Sequence, residues 1–411
     1  MAALALVAGL VLPGSAMAWS ATPSVAAPAM VTPTDPTTGA PLCAVGDLTP
    51  ITLPSTSPMP VRIPGQAMLG GESLSGNGLA VPAGSPALPT TLSATSWLVA
   101  DLETGEVLGA CGAHRYGVPA SVQKLLLTAT VMPKLRPTDT TVITDGDLDF
   151  EPGSSAVGLV KGGTYTVEEL FLGLLLNSGN DAAQTLARLG GGKRGVAGTI
   201  ADMNATAKRI GAWDTHAETP SGLDGPGQVT SAYDLALIFR ECFQYPDFRR
   251  YLATQTARMP PVPPTSPEGF VIQNDNRLIY EYPGALGGKT GYTDLARHSY
   301  VGAAQRDGRT LVVSVLGAEV MPYRGWQQAA SLLDWGFALS RGASVGHLVA
   351  KGEIERVNAR TPSAQPSPIT ALSAESTGPS MLPVVGASAV GVALLVGGLA
   401  VLMARRRRPH P

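Results

Sequence analysis

The chain is organised around one decapeptide, Val118-Pro119-Ala120-Ser121-Val122-Gln123-Lys124-Leu125-Leu126-Leu127. Its centre is Ser121-x-x-Lys124, and the apolar run that follows predicts the first turn of a buried helix. Residues three apart share one face of a helix, with Cβ atoms roughly 5–6 Å apart. A desolvated lysine on that face favours its neutral amine, which can accept the serine proton. The stretch therefore predicts a nucleophile and its base.

A helix start also suits acyl transfer. Its partial positive charge disfavours an ammonium, and its free backbone N–H groups can stabilise an oxyanion on a substrate that Ser121 holds. Taken alone, S-x-x-K is nevertheless a weak pattern. Ser121 could simply lie near a helix start while Lys124 is a solvated surface residue, so other motifs must decide.

Composition narrows the possible functions. The chain has 411 residues, 44% apolar and 15% charged, with 48 glycines and 35 prolines, which indicates a large core beside long irregular segments. A net charge of −2 argues against nucleic-acid binding. The three cysteines, Cys43, Cys111 and Cys242, form no C-x-x-C pattern, and their pairing stays open. The five histidines form no H-x-x-x-H cluster, so we expect no metal site.

The two ends of the chain predict export and membrane attachment. Residues 2–12 are almost entirely apolar and precede Ala16-Met17-Ala18, an A-x-A cleavage pattern. Residues 382–403 are apolar and uncharged, long enough to span a bilayer at ~1.5 Å per residue. Arginines follow directly, and the positive-inside rule keeps them cytoplasmic. We therefore expect a single-pass protein of the cell membrane with an extracytoplasmic domain.

Composition also divides the chain into segments. Stretches rich in Pro, Ser, Thr and Gly bury too little apolar surface to offset their ordering entropy, so they predict a spacer and a linker. Leu382-Pro383-x-x-Gly386 also resembles a cell-wall sorting signal, although Val385 stands where such signals usually carry threonine. The predicted segments are a signal peptide at 1–18, a spacer at 19–90, a catalytic domain at 91–345, a linker at 346–381, a transmembrane anchor at 382–403 and a basic tail at 404–411.

Periodicity within the domain predicts strands at both ends and helices in the middle. Trp97–Ala100 and Glu106–Ala110 form a predicted hairpin, and an Asp307-Gly308 turn joins two later strands. Helices are predicted at 170–176, 181–189, 200–210, 232–243 and 326–337. This order indicates an α+β fold, an antiparallel sheet flanked by helices, followed by the C-terminal transmembrane helix.

A second motif, Ser178-Gly179-Asn180, lies in a loop between two predicted helices. Beside the nucleophile, Ser178 could pass a proton to a leaving group. The Asn180 amide could orient Lys124 and hold a substrate carbonyl. S-G-N is also a common turn composition, and we discount an identical triplet at residues 75–77 because it lies in the spacer, ahead of the nucleophile.

A third motif, Lys289-Thr290-Gly291, enters the strand before the late hairpin. A lysine and a hydroxyl on an inner edge strand suit a substrate carboxylate, and Gly291 leaves room for a substrate backbone. The N–H of Tyr292 could be a second oxyanion donor. The charge of Lys289 would lower the pKa of a nearby Lys124. Alone, the tripeptide is an ordinary start of a strand.

Together, S-x-x-K, S-x-N and K-T-G in this order resemble the motifs of the penicillin-recognising serine enzymes. More narrowly, they resemble the low-molecular-mass D-alanyl-D-alanine carboxypeptidases. The resemblance covers roughly residues 93–340 and implies a β-lactamase/DD-peptidase-like sandwich. The stretches that carry it are Pro119-Ala120-Ser121, Leu175 to Ala183, Gly222-Leu223-Asp224, Asp234-Leu235-Ala236, Tyr282 to Thr293 and Leu332 to Phe337.

The resemblance implies an enzyme that removes the terminal D-alanine from peptidoglycan stem pentapeptides through an acyl-enzyme, without a metal or organic cofactor. It implies β-lactam antibiotics as inhibitors, and Arg277 becomes a candidate ligand for the substrate carboxylate. The implied catalytic residues are Ser121, Lys124 and Ser178, and the implied substrate-binding residues are Asn180, Lys289, Thr290, Gly291 and Tyr292.

The chain departs from the family pattern at two places. Val122-Gln123 is an unusual pair of residues between the serine and the lysine of S-x-x-K. Ala296-Arg297-His298 lacks the small glycine expected after K-T-G-x-T, so we expect that rim of the cleft to differ.

Other functions are weighed against this interpretation. A class A β-lactamase would need a glutamate in an E-x-x-L-N pattern, which the chain lacks. Gly342-Ala343-Ser344-Val345-Gly346 spells the G-x-S-x-G of α/β-hydrolases, but it follows a predicted helix and leaves no room for the Asp and His partners. A catalytically inactive wall-binding relative would have lost a motif residue, and none is lost. Cleavage of cross-links, as by a DD-endopeptidase, stays open.

Overall fold

The computed structural model describes Cys43, residues 68–350 and residues 352–355. The predicted signal peptide, most of the spacer and linker, the transmembrane anchor and the basic tail lie outside these residues. Within the described part, no helix combines the length and the apolar composition that crossing a membrane requires.

Most strands and helices occur in the order that the periodicity predicts. The strands are β1 (Leu79–Ala80), β2 (Ser96–Asp101), β3 (Glu106–Cys111), β4 (Thr140–Val142), β5 (Thr164–Thr166), β6 (Thr256–Met259), β7 (Phe270–Gln273), β8 (Ala285–Thr293), β9 (Arg297–Arg306), β10 (Arg309–Ala318) and β11 (Gly346–His347). The helices are α1 (Lys124–Val131), α2 (Val167–Leu176), α3 (Asn180–Gly191), α4 (Gly195–Ile210), α5 (Ala232–Phe243), α6 (Pro246–Leu252), α7 (Leu278–Glu281) and α8 (Gly325–Ala338). The short elements β1, β4 to β7, β11, α6 and α7 were not predicted.

One antiparallel sheet forms the centre of the fold. Its strand order is β1-β3-β2-β10-β9-β8, and β11 also pairs with β3. Strand β10 pairs with β2, which joins the two ends of the domain, and β8 forms one edge of the sheet. The predicted mixture of helices with an antiparallel sheet is therefore confirmed.

Both faces of this sheet are covered, which explains its apolar strands. In β2, Leu98 and Ala100 belong to the larger core, which also contains α1 and α5, whereas Trp97 and Val99 pack with residues of α8 on the other face. Side chains alternate between the faces of a strand, so a strand buried on both faces reads as a continuous apolar run. Every residue of α1 is buried, which makes it the central helix.

The hairpin between β9 and β10 turns where predicted. Asp307 and Gly308 both have positive φ, 49° and 71°. A two-residue type I′ turn requires positive φ at both central positions, which Asp-Gly supplies.

The packing extends beyond residues 91–345 at both ends. Leu69 and Leu74 on one side, and Leu348 and Ile354 on the other, are buried in the same core. A disulfide joins Cys43, in the predicted spacer, to Cys111 in β3, while Cys242 is a buried free thiol.

Candidate active site

Ser121 lies on a tight turn that precedes the central helix, rather than in its first α-helical turn. Residues Ala120–Gln123 form a 3-10 turn, and α1 begins at Lys124. Residues three apart eclipse each other in 3-10 geometry, so Ser121 and Lys124 still face one another. Ala120 has a φ of 49°, a left-handed conformation that costs roughly 1–2 kcal/mol for a residue with a Cβ. Backbone strain therefore lies directly before the nucleophile.

Gly222 lets a neighbouring loop reach this turn. Its φ is 91°, and a Cβ on it would lie 2.5 Å from the carbonyl carbon of Ala120. Only glycine fits a positive φ at such a close approach. The loop thereby brings the carbonyl oxygen of Ser221 to 2.9 Å from Lys124 Nζ.

Lys124 is completely buried, and three oxygens surround its Nζ. Ser121 Oγ lies at 2.9 Å, Asn180 Oδ1 at 2.7 Å and the Ser221 carbonyl oxygen at 2.9 Å. The amide and carbonyl oxygens can only accept hydrogen bonds. A neutral amine has two N–H bonds and one lone pair, so it can donate to both and turn its lone pair to the Ser121 hydroxyl. The geometry fits a lysine that acts as a base.

Burial and a second lysine favour that neutral form. Desolvation is the largest cause that lowers the pKa of Lys124 well below its usual value, and the positive charge of Lys289 lowers this pKa further. The negative charge of Asp181 acts in the opposite direction and is the smallest of the three effects.

Ser178 and Asn180 stand where the chain enters α3. Asn180 Nδ2 donates to Ser154 Oγ at 2.8 Å, which orients the amide so that its oxygen faces Lys124. Ser178 has a φ of 59°, and its buried hydroxyl forms no hydrogen bond with any described residue. That hydroxyl is available to a molecule bound beside Ser121.

Asp181 fixes the segment that covers this side of the site. Its carboxylate accepts backbone hydrogen bonds from Val157 at 2.9 Å, Gly158 at 2.9 Å and Leu159 at 3.0 Å. Hydrogen bonds to a charged acceptor are among the stronger ones in proteins. Asp181 is therefore a supporting residue that the motif analysis did not single out.

The K-T-G motif lies in the second half of β8, on the edge strand beside the nucleophile. Thr290 and Tyr292 line the cleft, and Tyr292 is 56% exposed at its rim. The Lys289 ammonium is buried, donates to the carbonyl of Thr290 at 2.8 Å and is not part of the cleft lining. Burial lowers the pKa of Lys289 to about 8, although the charge of Asp275 raises it.

Gly291 also has a structural role that the sequence did not indicate. A Cβ on it would lie 2.9 Å from the Ser121 nitrogen and 3.1 Å from the Val122 nitrogen. The missing side chain therefore makes room for the nucleophile turn, and the room that it leaves for a substrate backbone stays a prediction. Ser299 strengthens this junction, because its hydroxyl donates to the carbonyl of Pro119 at 2.6 Å.

An open cleft of about 500 Å³ lies between these elements. Arg277, the predicted carboxylate ligand, lines the cleft but pairs with Glu281 at 2.9 Å. Arg324 also lines it and forms no ion pair with any described carboxylate. Arg324 is therefore a second candidate ligand for the substrate carboxylate, and the sequence did not reveal it.

Asp275 and His298 also border the cleft without having been predicted. The side chains of Asn274 and Asn276, on either side of Asp275, are buried and hydrogen bonded into the fold. No short motif marks these positions. The one signal in the sequence was the departure at Ala296-Arg297-His298, which pointed to this rim.

A buried cluster lies outside the cleft. His114, Asp214 and Asp234 hold potential ligand atoms within 4.8 Å of one another. The ring of His114 already bonds to Asp214 Oδ2 at 2.7 Å and to the Leu69 carbonyl at 3.0 Å. Burial is the main cause that raises the pKa of Asp234 well above its usual value, followed by the charge of Asp214. Both ring nitrogens of His114 are thus already engaged in hydrogen bonds.

Residues 83–320 match the model of peptidase family S11, described as D-alanyl-D-alanine carboxypeptidase. The chain is 44% identical over 272 residues to D-alanyl-D-alanine carboxypeptidase DacB2 of Mycobacterium tuberculosis, which is 65% of this chain and 90% of that protein. It is 34% identical over 259 residues to D-alanyl-D-alanine carboxypeptidase DacD of Salmonella typhimurium, which is 60% of this chain and 64% of that protein.

Solved structures show the same likeness. The crystal structure of a D-alanyl-D-alanine carboxypeptidase from Mycobacterium tuberculosis matches with a TM-score of 0.61 and 44% identity, over 65% of this chain and 99% of that one. The Streptomyces K15 DD-transpeptidase matches with a TM-score of 0.59 and 27% identity, over 62% of this chain and 100% of that one.

Proposed function

This chain belongs to the D-alanyl-D-alanine carboxypeptidase family, and we propose that Ser121 and Lys124 are the nucleophile and the base with which it removes the terminal D-alanine from peptidoglycan stem pentapeptides. The protein is a serine-type hydrolase of that family, for which an acyl-enzyme and sensitivity to β-lactams are typical. The assignment of residues rests on one observation above all, the distance of 2.9 Å between Lys124 Nζ and Ser121 Oγ.

Acylation begins with the transfer of a proton. The neutral amine of Lys124 takes the proton of the Ser121 hydroxyl while the serine oxygen bonds to the carbonyl carbon of the penultimate D-alanine. The carbonyl oxygen becomes an oxyanion, and the backbone N–H groups of Ser121 and Tyr292 are its donors. The contact between Gly291 and the Ser121 turn supports this pairing of donors from two elements.

The departing D-alanine then needs a proton on its nitrogen. The Ser178 hydroxyl is free to relay that proton from the Lys124 ammonium as the C–N bond breaks. Free D-alanine leaves, and an ester on Ser121 remains. Water attacks this ester with Lys124 again accepting a proton, which releases the shortened peptide and restores the hydroxyl of Ser121.

We assign recognition of the terminal carboxylate to a hydroxyl and two cations in and near K-T-G. Thr290 and Arg324 line the cleft and can contact the carboxylate directly. Lys289 is buried in β8, and its positive charge attracts the carboxylate without direct contact. Asn180 is assigned to the carbonyl of the bound peptide, in addition to its hydrogen bond with Lys124.

Release of D-alanine from a synthetic stem pentapeptide tests this function, beside labelling with a fluorescent penicillin. We expect the wild-type chain to show both activities and Ser121→Ala to show neither. Release or labelling by Ser121→Ala at the wild-type rate would contradict the assigned nucleophile. Labelling of the wild type without release would favour a DD-endopeptidase, and neither activity would favour an inactive wall-binding relative.

The location of the enzyme is also a proposal. We infer that residues 382–403 anchor it in the cell membrane and that the domain is extracytoplasmic. The Cys43–Cys111 disulfide supports this, because such bonds persist mainly in oxidising compartments. Deleting residues 380–411 should move the protein from the membrane fraction to the soluble fraction, and a truncated protein that stays with the membrane would contradict the anchor.

A further inference from the structure

Four non-glycine residues in the described part of the chain have positive φ: Ala120, Ser178, Arg297 and Asp307. The first two belong to the active site, and Asp307 belongs to a hairpin turn that favours such a conformation. Arg297, with a φ of 57°, closes the three-residue turn between β8 and β9, at a position that glycine usually occupies. Strained residues persist only where their surroundings hold them, and they cluster at functional sites.

One strong contact holds Arg297. Its Nη1 donates to Glu319 Oε1 at 2.6 Å, and the two side chains are 16% and 36% exposed. The Nε and Nη2 atoms of Arg297 are buried without a hydrogen-bond partner among the described residues. Unpaired buried donors reduce stability, as does the backbone strain. Stability alone therefore does not explain an arginine here.

The ion pair lies where backbone pairing stops. The ladder between β9 and β10 ends at the pair His298–Ala318, and Arg297 and Glu319 are the next residue on each strand. Glu319 is also the first residue of the loop that leads to α8. The side chains of Arg297 and Glu319 therefore continue the connection between the strands beyond their last hydrogen-bonded pair.

Each residue of the pair is joined to a different segment of the cleft lining. Arg297 adjoins His298, whose ring lies 4.9 Å from the ring of Tyr292, and both rings line the cleft. Glu319 starts the loop that delivers Arg324 to the cleft lining, and Gly325, directly after Arg324, lies beside His298.

Little else fastens the middle of that loop to the fold. Val320, Met321 and Tyr323 are all exposed large side chains, so they contribute little packing. Backbone contacts lie at its ends, where Glu319 N donates to Ser93 Oγ at 2.9 Å and the carbonyl of Tyr323 accepts from Gln328 at 2.8 Å. The ion pair therefore links the start of this loop to β9, while at its other end Gly325 lies beside His298 and Tyr300.

We propose that Arg297 and Glu319 form a clamp that holds the Tyr292–His298 wall and Arg324 at the separation required to bind the substrate's terminal carboxylate. The inference rests on the proposed function and deepens it. Neither residue touches the reacting atoms, so both are positioning residues. Their loss should weaken substrate binding and leave the chemistry at Ser121 nearly unchanged.

Kinetics of the full chain on the stem pentapeptide test the clamp. Glu319→Gln removes the ion pair at nearly constant volume, and Arg297→Gly removes it while relieving the backbone strain. We expect each to raise KM about tenfold with kcat within about twofold of wild type, the signature of lost uniform binding. The double variant should be no worse than either single variant, and Arg297→Lys should retain most of the affinity.

Two controls separate positioning from stability. Asp334→Asn breaks a similar ion pair, with Arg306 at 3.0 Å, at the other end of β9, and it should leave KM unchanged. Arg297→Gly should keep or raise Tm, because glycine adopts positive φ without strain. Lost folding would then not explain its higher KM.

Three results would overturn the clamp. They are a KM within twofold of wild type for both single variants, equal losses in the Asp334→Asn control, and additive effects in the double variant. The second-order rate constant of penicillin acylation is measured in parallel, because penicillin also carries a carboxylate, and a tenfold fall is expected. A wild type that is acylated but releases no D-alanine would count against the proposed function, and the acylation rates would still decide the clamp.

Discussion

The two walls of the cleft are built in opposite ways. The inner wall carries Ser121, Lys124 and Asn180 on buried elements, and the Lys124 amine has a partner in every direction that it can use. The outer wall, with Tyr292 and the loop before Arg324, is exposed and fastened by few contacts. The difference indicates that proton transfer is fixed by a rigid inner wall, while affinity depends on an outer wall that substitutions can adjust.

Replacing the base should have the largest effect. Lys124→Arg keeps a cation in place but removes the base, because a guanidinium does not lose its proton in proteins. We expect acylation by penicillin to slow by roughly 10²–10⁴, the usual contribution of a general base. Lys134→Arg is the matched control, since that lysine pairs with Asp202 on the surface at 2.7 Å. A Lys124→Arg enzyme with more than a tenth of the wild-type rate would contradict the assigned base.

Replacing Gly222, a glycine of the inner wall, should have the second-largest effect on activity. A Cβ at Gly222 would press on the Ala120 carbonyl carbon and displace the Ser121 turn or the Ser221 carbonyl. We expect Gly222→Ala to lower kcat about 100-fold, the cost of a misplacement near 1 Å. Gly225→Ala is the control, because the nearest atom to its Cβ would lie at 3.4 Å. Equal activity of the two variants would show that the inner wall is not rigid.

The inner wall was the more predictable of the two because its residues either lie close together in the sequence or belong to a recognisable motif. Ser121 and Lys124 are three residues apart, so helical geometry alone brings them together. The third partner of Lys124 escaped prediction because it is the backbone carbonyl of Ser221, 97 residues away, and every residue has such a carbonyl. The contact between Gly291 and the Ser121 turn also escaped prediction, since only the packed structure shows which neighbours need the space.

Lys289 should dominate the alkaline side of the pH profile. The pKa of Lys289 is lowered to about 8, so its charge is present below that pH and lost above it. We expect kcat/KM for the pentapeptide to fall about tenfold from pH 7 to pH 9, as follows from the charged fraction of one such group. A pentapeptide amidated at its C-terminus should lack this fall. The same fall with the amide would mean that Lys289 does not serve the carboxylate.

The smallest effect is expected at the exposed rim. Tyr292→Phe removes a hydrogen bond to Asp294 of 3.1 Å but keeps the ring against His298 and the backbone N–H that we assign to the oxyanion. We expect kcat and KM within about twofold of wild type, since an exposed hydrogen bond contributes little. A loss of kcat beyond tenfold would show that the phenol takes part in the chemistry.

Sequence could say much less about this outer wall. Arg324 reaches the cleft only through the path of the loop from β10 to α8, which no local pattern encodes. Arg297 occupies a left-handed position where glycine would be expected, and its partner Glu319 is 22 residues away. The pairing of Cys43 with Cys111 likewise depends on the route of the N-terminal segment.

The titration of Lys124 tests the central claim most directly. Lysine labelled with ¹³C at Cε can be followed by NMR across the pH range, and the Lys124→Arg variant, which lacks that lysine, identifies its resonance. We expect Lys124 to titrate well below 10.5 because it is buried beside Lys289. The Lys289→Gln variant should raise that pKa by removing the neighbouring charge. A pKa of Lys124 near 10.5 in the wild type would mean that the amine is an ammonium at neutral pH and cannot be the base for Ser121.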